Sequence, residues 1–262
     1  MIATEIANHF VAARLSGRAL ADYPGPIPDC LSDAYAVQDA AIQFVDQPIV
    51  GWKVGRILPP LSDRFGADRL AGPIFATTMQ GDDETTTGHI FTGGVGAAEA
   101  EFLIQIGTDL PLGKQDYSLD EAAAQISAVF VGIEIASSPL PTINELGPAV
   151  TVSDFGNNNG LIIGPQIDMW QTSNFADWDV ALEIDGVEIG QGAAKNFPDG
   201  PIGSVRFLLN NLGSRDIAIA AGTWISTGAV TGVHQVSTGQ KVRAVFGNKL
   251  SVNCTIEATP VS

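Results

Sequence analysis

Apolar residues recur along this chain with two different periods. Over residues 2–19, Ile2, Ile6, Phe10, Ala13 and Leu15 fall near one side of a 3.6-residue spiral, which predicts an amphipathic helix. Pro24, Pro26 and Pro28 end it. A second helix is predicted over 32–45, capped by Ser32, with Tyr35, Val37, Ala41 and Phe44 on its apolar side. From there the period shortens to two. Residues 49–55 read as a strand with Val50, Trp52 and Val54 on one face and Gly51, Lys53 and Gly55 on the other. Residues 56–75, rich in Pro and Gly, read as an irregular loop able to cover a site, and 76–96 read as hairpin structure. Residues 97–106 and 129–136 are apolar runs typical of buried strands. Between them Ser118-Leu-Asp-Glu121 forms a capping box that opens a helix to about residue 128. A turn-rich stretch follows at 152–160, then a strand at 161–164 and a hairpin at Asp185-Gly186 within 180–189. A short helix over 203–212 and strands over 223–228, 241–246 and 250–256 complete the pattern. Short strands, Gly turns and few helices predict a mixed β-barrel or roll behind a small helical lead-in.

Length and charge narrow the classes. A chain of 262 residues buries enough core to need no disulfide or metal staple. Its formal charge of −16 argues against nucleic acid and anionic membrane surfaces as partners, because both select for Lys and Arg. A small anionic substrate would need a local positive charge from a metal or a placed side chain. The two cysteines, Cys30 and Cys254, lie far apart and outside any Cys/His cluster, so no zinc site is expected. No apolar run is long enough for a membrane span and no leader segment is visible, so a cytoplasmic location is expected.

The candidate chemistry lies in the apolar strands. Glu99 and Glu101 share one face of the 97–106 strand, and Glu134 is the only charge in 129–136. Side-by-side carboxylates in an apolar segment repel and are costly to desolvate, and a divalent cation is the simplest compensation. An Arg or Lys partner, or a strand end facing water, would satisfy one such glutamate equally well. Lys53, flanked on its own face by two glycines, has open space around its stem. It either snorkels off a strand edge or, near a cation or enolate, shuttles protons. Arg56, Arg64 and His89 read as solvated or internally satisfied residues, and Asp154 either caps its own turn or reaches back to a site.

Several segments, in order, resemble the 2-oxopent-4-enoate hydratase and 4-oxalocrotonate decarboxylase group of the fumarylacetoacetate hydrolase superfamily. They are Ala34-Tyr-Ala-Val-Gln38, Gly51-Trp-Lys-Val-Gly55, Ala98-Glu-Ala-Glu-Phe102, Val131-Gly-Ile-Glu-Ile-Ala136, Asp154 with Gly164, and Trp224-Ile-Ser-Thr-Gly228. The resemblance implies an α+β chain, with an N-terminal helical portion over 1–75 and a catalytic, twisted β-roll domain over 76–262. It implies Mg²⁺ or Mn²⁺ held by Glu99, Glu101 and Glu134, with Lys53 as the catalytic lysine. Asp154, Arg56 and Thr227 are the candidate substrate-binding residues. The implied substrate is a small anionic 2-hydroxy-2,4-dienoate or 2-oxo acid, and the implied assembly a homo-oligomer. Hydration to a 4-hydroxy-2-oxo acid is the expected reaction. Decarboxylation of a 4-oxalocrotonate-type acid is the alternative, along with carbon–carbon hydrolysis or tautomerisation at the same metal. The chain departs from the group's pattern at Ala71, at Phe155 and at Lys195.

Overall fold

The two N-terminal helices are α1 (Ile2–Ser16) and α2 (Leu31–Ile42) in the computed structural model, which describes residues 2–81, 83, 86–247 and 249–260. They bury Ile6, Phe10, Val11, Val37 and Ala41 in one apolar cluster with Leu140, Ile143, Val150 and Phe155. Ile2 and Leu15, at the ends of α1, are exposed instead. Ser32 does not cap α2. The helix begins one residue earlier, after an extended Cys30 that makes no side-chain cap bond, so Ser32 already lies inside the first turn.

The remaining chain builds two sheets. The larger uses β1 (Ile49–Arg56), β2 (Arg69–Phe75), β3 (Met79–Gly81), β5 (Val95–Ile106), β6 (Ile126–Ser138), β7 (Asn158–Gln166), β10 (Trp224–Ser226) and β11 (His234–Gln235). Its order is β2-β1-β10-β5-β6-β7-β3, with β11 also on β5. The smaller sheet runs β4-β13-β12-β8-β9, from β4 (Thr87–Ile90), β8 (Val180–Ile184), β9 (Val187–Gly192), β12 (Lys241–Phe246) and β13 (Leu250–Ala258). Short helices α3 (Leu61–Phe65), α4 (Leu119–Ala123), α5 (Ile143–Leu146) and α6 (Pro148–Ser153), and the longer α7 (Gly200–Ser214), connect them. This is the α+β, mixed-sheet architecture expected.

Two local expectations are corrected. Residues 56–75 are not an irregular loop: α3 and β2 lie there, and β2 pairs antiparallel with β1 from Arg69 to Phe75. Gly72 and Pro73 resemble loop residues, but the strand is buried along its whole length, and burial overrides local propensity. Within 76–96 the strands do not pair as a hairpin. β3 joins β7 and β4 joins β13, each in a different sheet, while Asp82, Glu84 and Thr85 lie outside the described residues. Other signals hold. Ser118 and Glu121 form the reciprocal capping box at α4, and β8 and β9 turn at Asp185-Gly186. The capped helix stops at Ala123 and does not reach 128, because β6 already begins at Ile126.

Strand β5 lies inside the larger sheet, and its side chains alternate. Ala98, Ala100, Phe102 and Ile104 enter the main core, where Phe102 meets Phe175 and Phe246 edge-on at 5.0 and 5.2 Å. Trp52, Val54 and Ile225 join the same core from β1 and β10. The opposite face of these strands carries the polar residues.

Candidate metal centre

Register assembles that polar face. Glu99 stands opposite Glu134, and Glu101 opposite Gly132, across β5 and β6. On the other side of β5, Ser226 of β10 stands opposite Leu103 and also opposite Lys53 of β1. Partners in register share a sheet face, so four strands present Glu134, Glu99, Glu101, Ser226 and Lys53 together. Each glutamate offers one oxygen, and these oxygens lie within 4.8 Å of one another. All are deeply buried: Glu101 and Glu134 are 0% exposed, Lys53 4% and Glu99 5%.

The hydrogen bonds are uneven. Glu101 Oε2 accepts from the Ser226 hydroxyl and, at 2.8 Å, from the Gly228 N–H. Asn158 Nδ2 donates to Glu134 Oε1 at 2.9 Å. Lys53 Nζ lies 3.2 Å from Glu134 Oε2 and donates a long bond of 3.4 Å to Asn157 Oδ1. Glu101 Oε1 has no hydrogen-bond partner, and Glu134 Oε2 makes only the ion contact to Lys53. Three carboxylates thus face one ammonium in a desolvated space, and the buried Glu101 Oε1 is left without a donor. Burial, with like-charge repulsion from Glu134, pushes the Glu99 carboxyl up to about 7, although Lys53 opposes this. Burial and the neighbouring carboxylates of Glu134 and Glu99 raise Glu101 as well. Burial works to lower Lys53, but the carboxylates of Glu134, Glu99 and Glu101 outweigh it and hold the ammonium above its ordinary value. An all-oxygen, anionic donor set with unsatisfied atoms fits a hard divalent cation such as Mg²⁺ or Mn²⁺.

A tight turn closes over Lys53. Phe155, Gly156 and Asn157 take consecutive positive φ values of 54°, 64° and 56°. Gly156 packs against the stem of Lys53, where an added Cβ would lie 3.1 Å from Lys53 Cδ. A Cβ on Gly72 of β2 would collide with the Phe155 carbonyl, so only glycine lets the turn approach the strand so closely. The turn delivers Asn157 to Lys53 and Asn158 to Glu134.

The other expected site residues scatter. Thr227 is buried and donates its hydroxyl to the Phe102 carbonyl at 2.8 Å. Arg56 is exposed at the end of β1, 5.7 Å from the Phe197 ring. Phe197 packs beside Gly228, where an added Cβ would sit 3.6 Å from its ring. Asp154 is fully buried, with Oδ1 2.5 Å from Arg14 Nε and Oδ2 accepting from Ser138 at 2.6 Å. Arg64 stacks on its neighbour Phe65, and Lys195 makes a solvent-exposed pair with Asp177 at 3.4 Å. Ala71 shares the apolar core with its register partner Val54, on the face away from the carboxylates. Sequence reasoning passed over Asn157, Asn158 and Ser226. Their one signal is polar side chains inside a turn and a motif already singled out for other residues.

No protein-family model matches the sequence, and a comparison with curated proteins finds no match. Solved structures do match. 4-Oxalocrotonate decarboxylase from Pseudomonas putida G7, complexed with magnesium and adipate, aligns with a TM-score of 0.81 over 97% of both chains at 22% identity. Fumarylpyruvate hydrolase from Pseudomonas aeruginosa, in complex with Mn²⁺ and pyruvate, aligns with a TM-score of 0.56 at 16% identity, over 82% of this chain and 93% of that one. The 2-hydroxyhepta-2,4-diene-1,7-dioate isomerase from Mycobacterium marinum aligns with a TM-score of 0.57 at 18% identity, over 81% of this chain and 77% of that one. The chain therefore has the fold that 4-oxalocrotonate decarboxylase shares with fumarylpyruvate hydrolase and its relatives.

Proposed function

We propose that this protein is a divalent-metal-dependent enzyme acting on a small 2-hydroxydienoate or 2-oxo acid, and that it adds water to a 2-hydroxy-2,4-dienoate. The observation that carries the reading is the buried cluster of Glu99, Glu101 and Glu134, with an unsatisfied oxygen on Glu101, set beside a buried Lys53. Those three carboxylates would hold Mg²⁺ or Mn²⁺. Such a cation supplies Lewis-acid polarisation of a 2-oxygen and of the adjacent carboxylate. The neighbours whose structures contain Mg²⁺ with adipate, or Mn²⁺ with pyruvate, support an organic-acid ligand.

The chain's own residues supply the proton handling. Lys53 is held as an ammonium, so it begins as a proton donor. Glu134 and Asn157 orient its Nζ. In the hydration, Lys53 would give its proton to C5 of the dienol and take up the proton that the enol oxygen releases, leaving a 2-oxo-3-enoate. Water would then add across the C3–C4 double bond, its oxygen bonding C4 as Lys53 relays one of its protons to C3, which gives the 4-hydroxy-2-oxo acid and leaves Lys53 as it began. Burial of the cluster keeps bulk water from competing for its charges. Arg56, exposed beside Phe197, is the one expected substrate-binding side chain that solvent reaches. Asp154 and Thr227 already have partners within the protein and would shape the site through its backbone.

A second reading, decarboxylation of a dicarboxylic 2-oxo acid, is favoured by the alignment over 97% of both chains with the Pseudomonas putida decarboxylase. The test is turnover of 2-hydroxypenta-2,4-dienoate, followed by loss of its ultraviolet absorbance with Mg²⁺ and again with EDTA. Metal-dependent loss yielding 4-hydroxy-2-oxopentanoate supports the hydratase. CO₂ release from a 4-oxalocrotonate-type dicarboxylate, with no loss of the monocarboxylate, supports the second reading. No metal-dependent turnover of either acid removes both.

A further inference from the structure

We infer that Arg14, on the N-terminal helix, is a positioning residue that holds Lys53 and Glu134 in place by clamping the left-handed turn between them. The inference rests on the metal-centre reading above and extends it to a helix that contributes no residue to the acidic cluster.

The Arg14 side chain is 11% exposed, and its guanidinium bonds in five places. Nε meets Asp154 Oδ1 at 2.5 Å. Nη1 donates to the Asn158 carbonyl at 3.0 Å and to Asn159 Oδ1 at 3.3 Å. Nη2 donates to the carbonyls of Ser137 at 3.2 Å and Asp154 at 3.3 Å. A guanidinium has five N–H groups, so all are used. Its carbon also lies 5.3 Å from the centre of the Phe91 ring and 5.2 Å from that of Phe155.

These acceptors bracket the turn. Asp154 stands just before it and Asn158 just after it, while Ser137 lies at the end of β6, three residues beyond Glu134. Ser138 ties the other Asp154 oxygen to β6. The turn is locally unfavourable, because Phe155 and Asn157 both hold positive φ and an L side chain such as that of Phe155 rarely adopts it. Such strain persists only where surrounding contacts over-determine it, and here the contacts converge on one side chain. Within the turn, Asn157 reaches Lys53 and Asn158 reaches Glu134. The guanidinium touches neither Lys53 nor a glutamate, so its effect passes through those two asparagines. A lysine cannot substitute, since one ammonium has three donors on a point charge and cannot span five acceptors set around a plane.

The experiment measures Mn²⁺ affinity, kcat and KM in the full chain. Substituting Arg14→Ala should weaken Mn²⁺ binding about 10- to 100-fold, the usual effect of removing a group that orients a ligand. Added guanidinium ion should restore part of it, and Arg14→Lys should not. Because Arg14→Ala strands a buried Asp154, the double variant Arg14→Ala/Asp154→Ala removes the charges together; it should remain folded and still bind Mn²⁺ weakly. Ile6→Ala, which loosens α1 without touching the guanidinium, should lower the melting temperature and leave Mn²⁺ affinity at the wild-type value. Wild-type affinity and kcat in the folded double variant, or equal loss in Ile6→Ala, overturns the inference. Absence of Mn²⁺ binding in the unmodified protein overturns the metal-centre reading itself, and with it the role assigned to Arg14.

Discussion

Two buried ion pairs sit on either side of the same turn, and they are built differently. Arg14 and Asp154 satisfy each other completely: every guanidinium N–H is used, and both carboxylate oxygens have donors. Lys53 and Glu134 do not. Their contact is 3.2 Å, the Asn157 bond is longer still, and two further carboxylates crowd the same space with an orphaned oxygen on Glu101. Desolvating a charge is repaid only by good geometry and full hydrogen bonding. The first pair meets that condition and belongs to the framework. The second falls short by about one divalent cation, the mark of a place made for a ligand.

The contrast breaks most readily at Glu101. Glu101→Gln keeps the shape and removes one charge from the unsatisfied side, and Mn²⁺ affinity measured by calorimetry should fall more than about 100-fold, beyond what loss of an orienting neighbour costs. Unchanged affinity would mean that the orphaned oxygen is not a ligand. Lys53→Met comes next. Mn²⁺ should still bind, while kcat drops by about 10²- to 10⁴-fold, the range for a lost general acid or base. Retained kcat would move the proton transfer elsewhere. The smallest effect is on stability. Glu99 is raised to about 7 in the fold from an ordinary value of 4.5, so the fold prefers its neutral form. That stabilisation is complete below about pH 4.5 and is lost as pH rises through about 7. The metal-free protein should therefore show a falling melting temperature across that window, Mn²⁺ should reverse the fall at high pH, and Glu99→Gln should flatten it. A flat profile in the unmodified, metal-free protein would contradict the picture of crowded carboxylates.

Alternation along the strands was legible in the chain alone. It placed Glu99 and Glu101 on one face and Phe102 on the other, and it isolated Glu134 and Lys53 as charges in apolar runs. The Ser118–Glu121 cap and the Asp185-Gly186 turn were equally visible, because each is set by residues adjacent in sequence. β2 was not, since its Gly72 and Pro73 read as loop residues until β1 and the 155–157 turn are seen to require that strand. Nor were the roles of Asn157, Ser226 and Arg14 visible. Arg14 is 140 positions from Asp154, and on its own helix it looks like an ordinary last-turn arginine. Local pattern carries which face a residue takes, because that follows from the pitch of the backbone. Which polar groups meet inside depends on strands and helices brought together from remote parts of the chain, so only the tertiary structure decides whether a buried charge is satisfied or left open for a ligand.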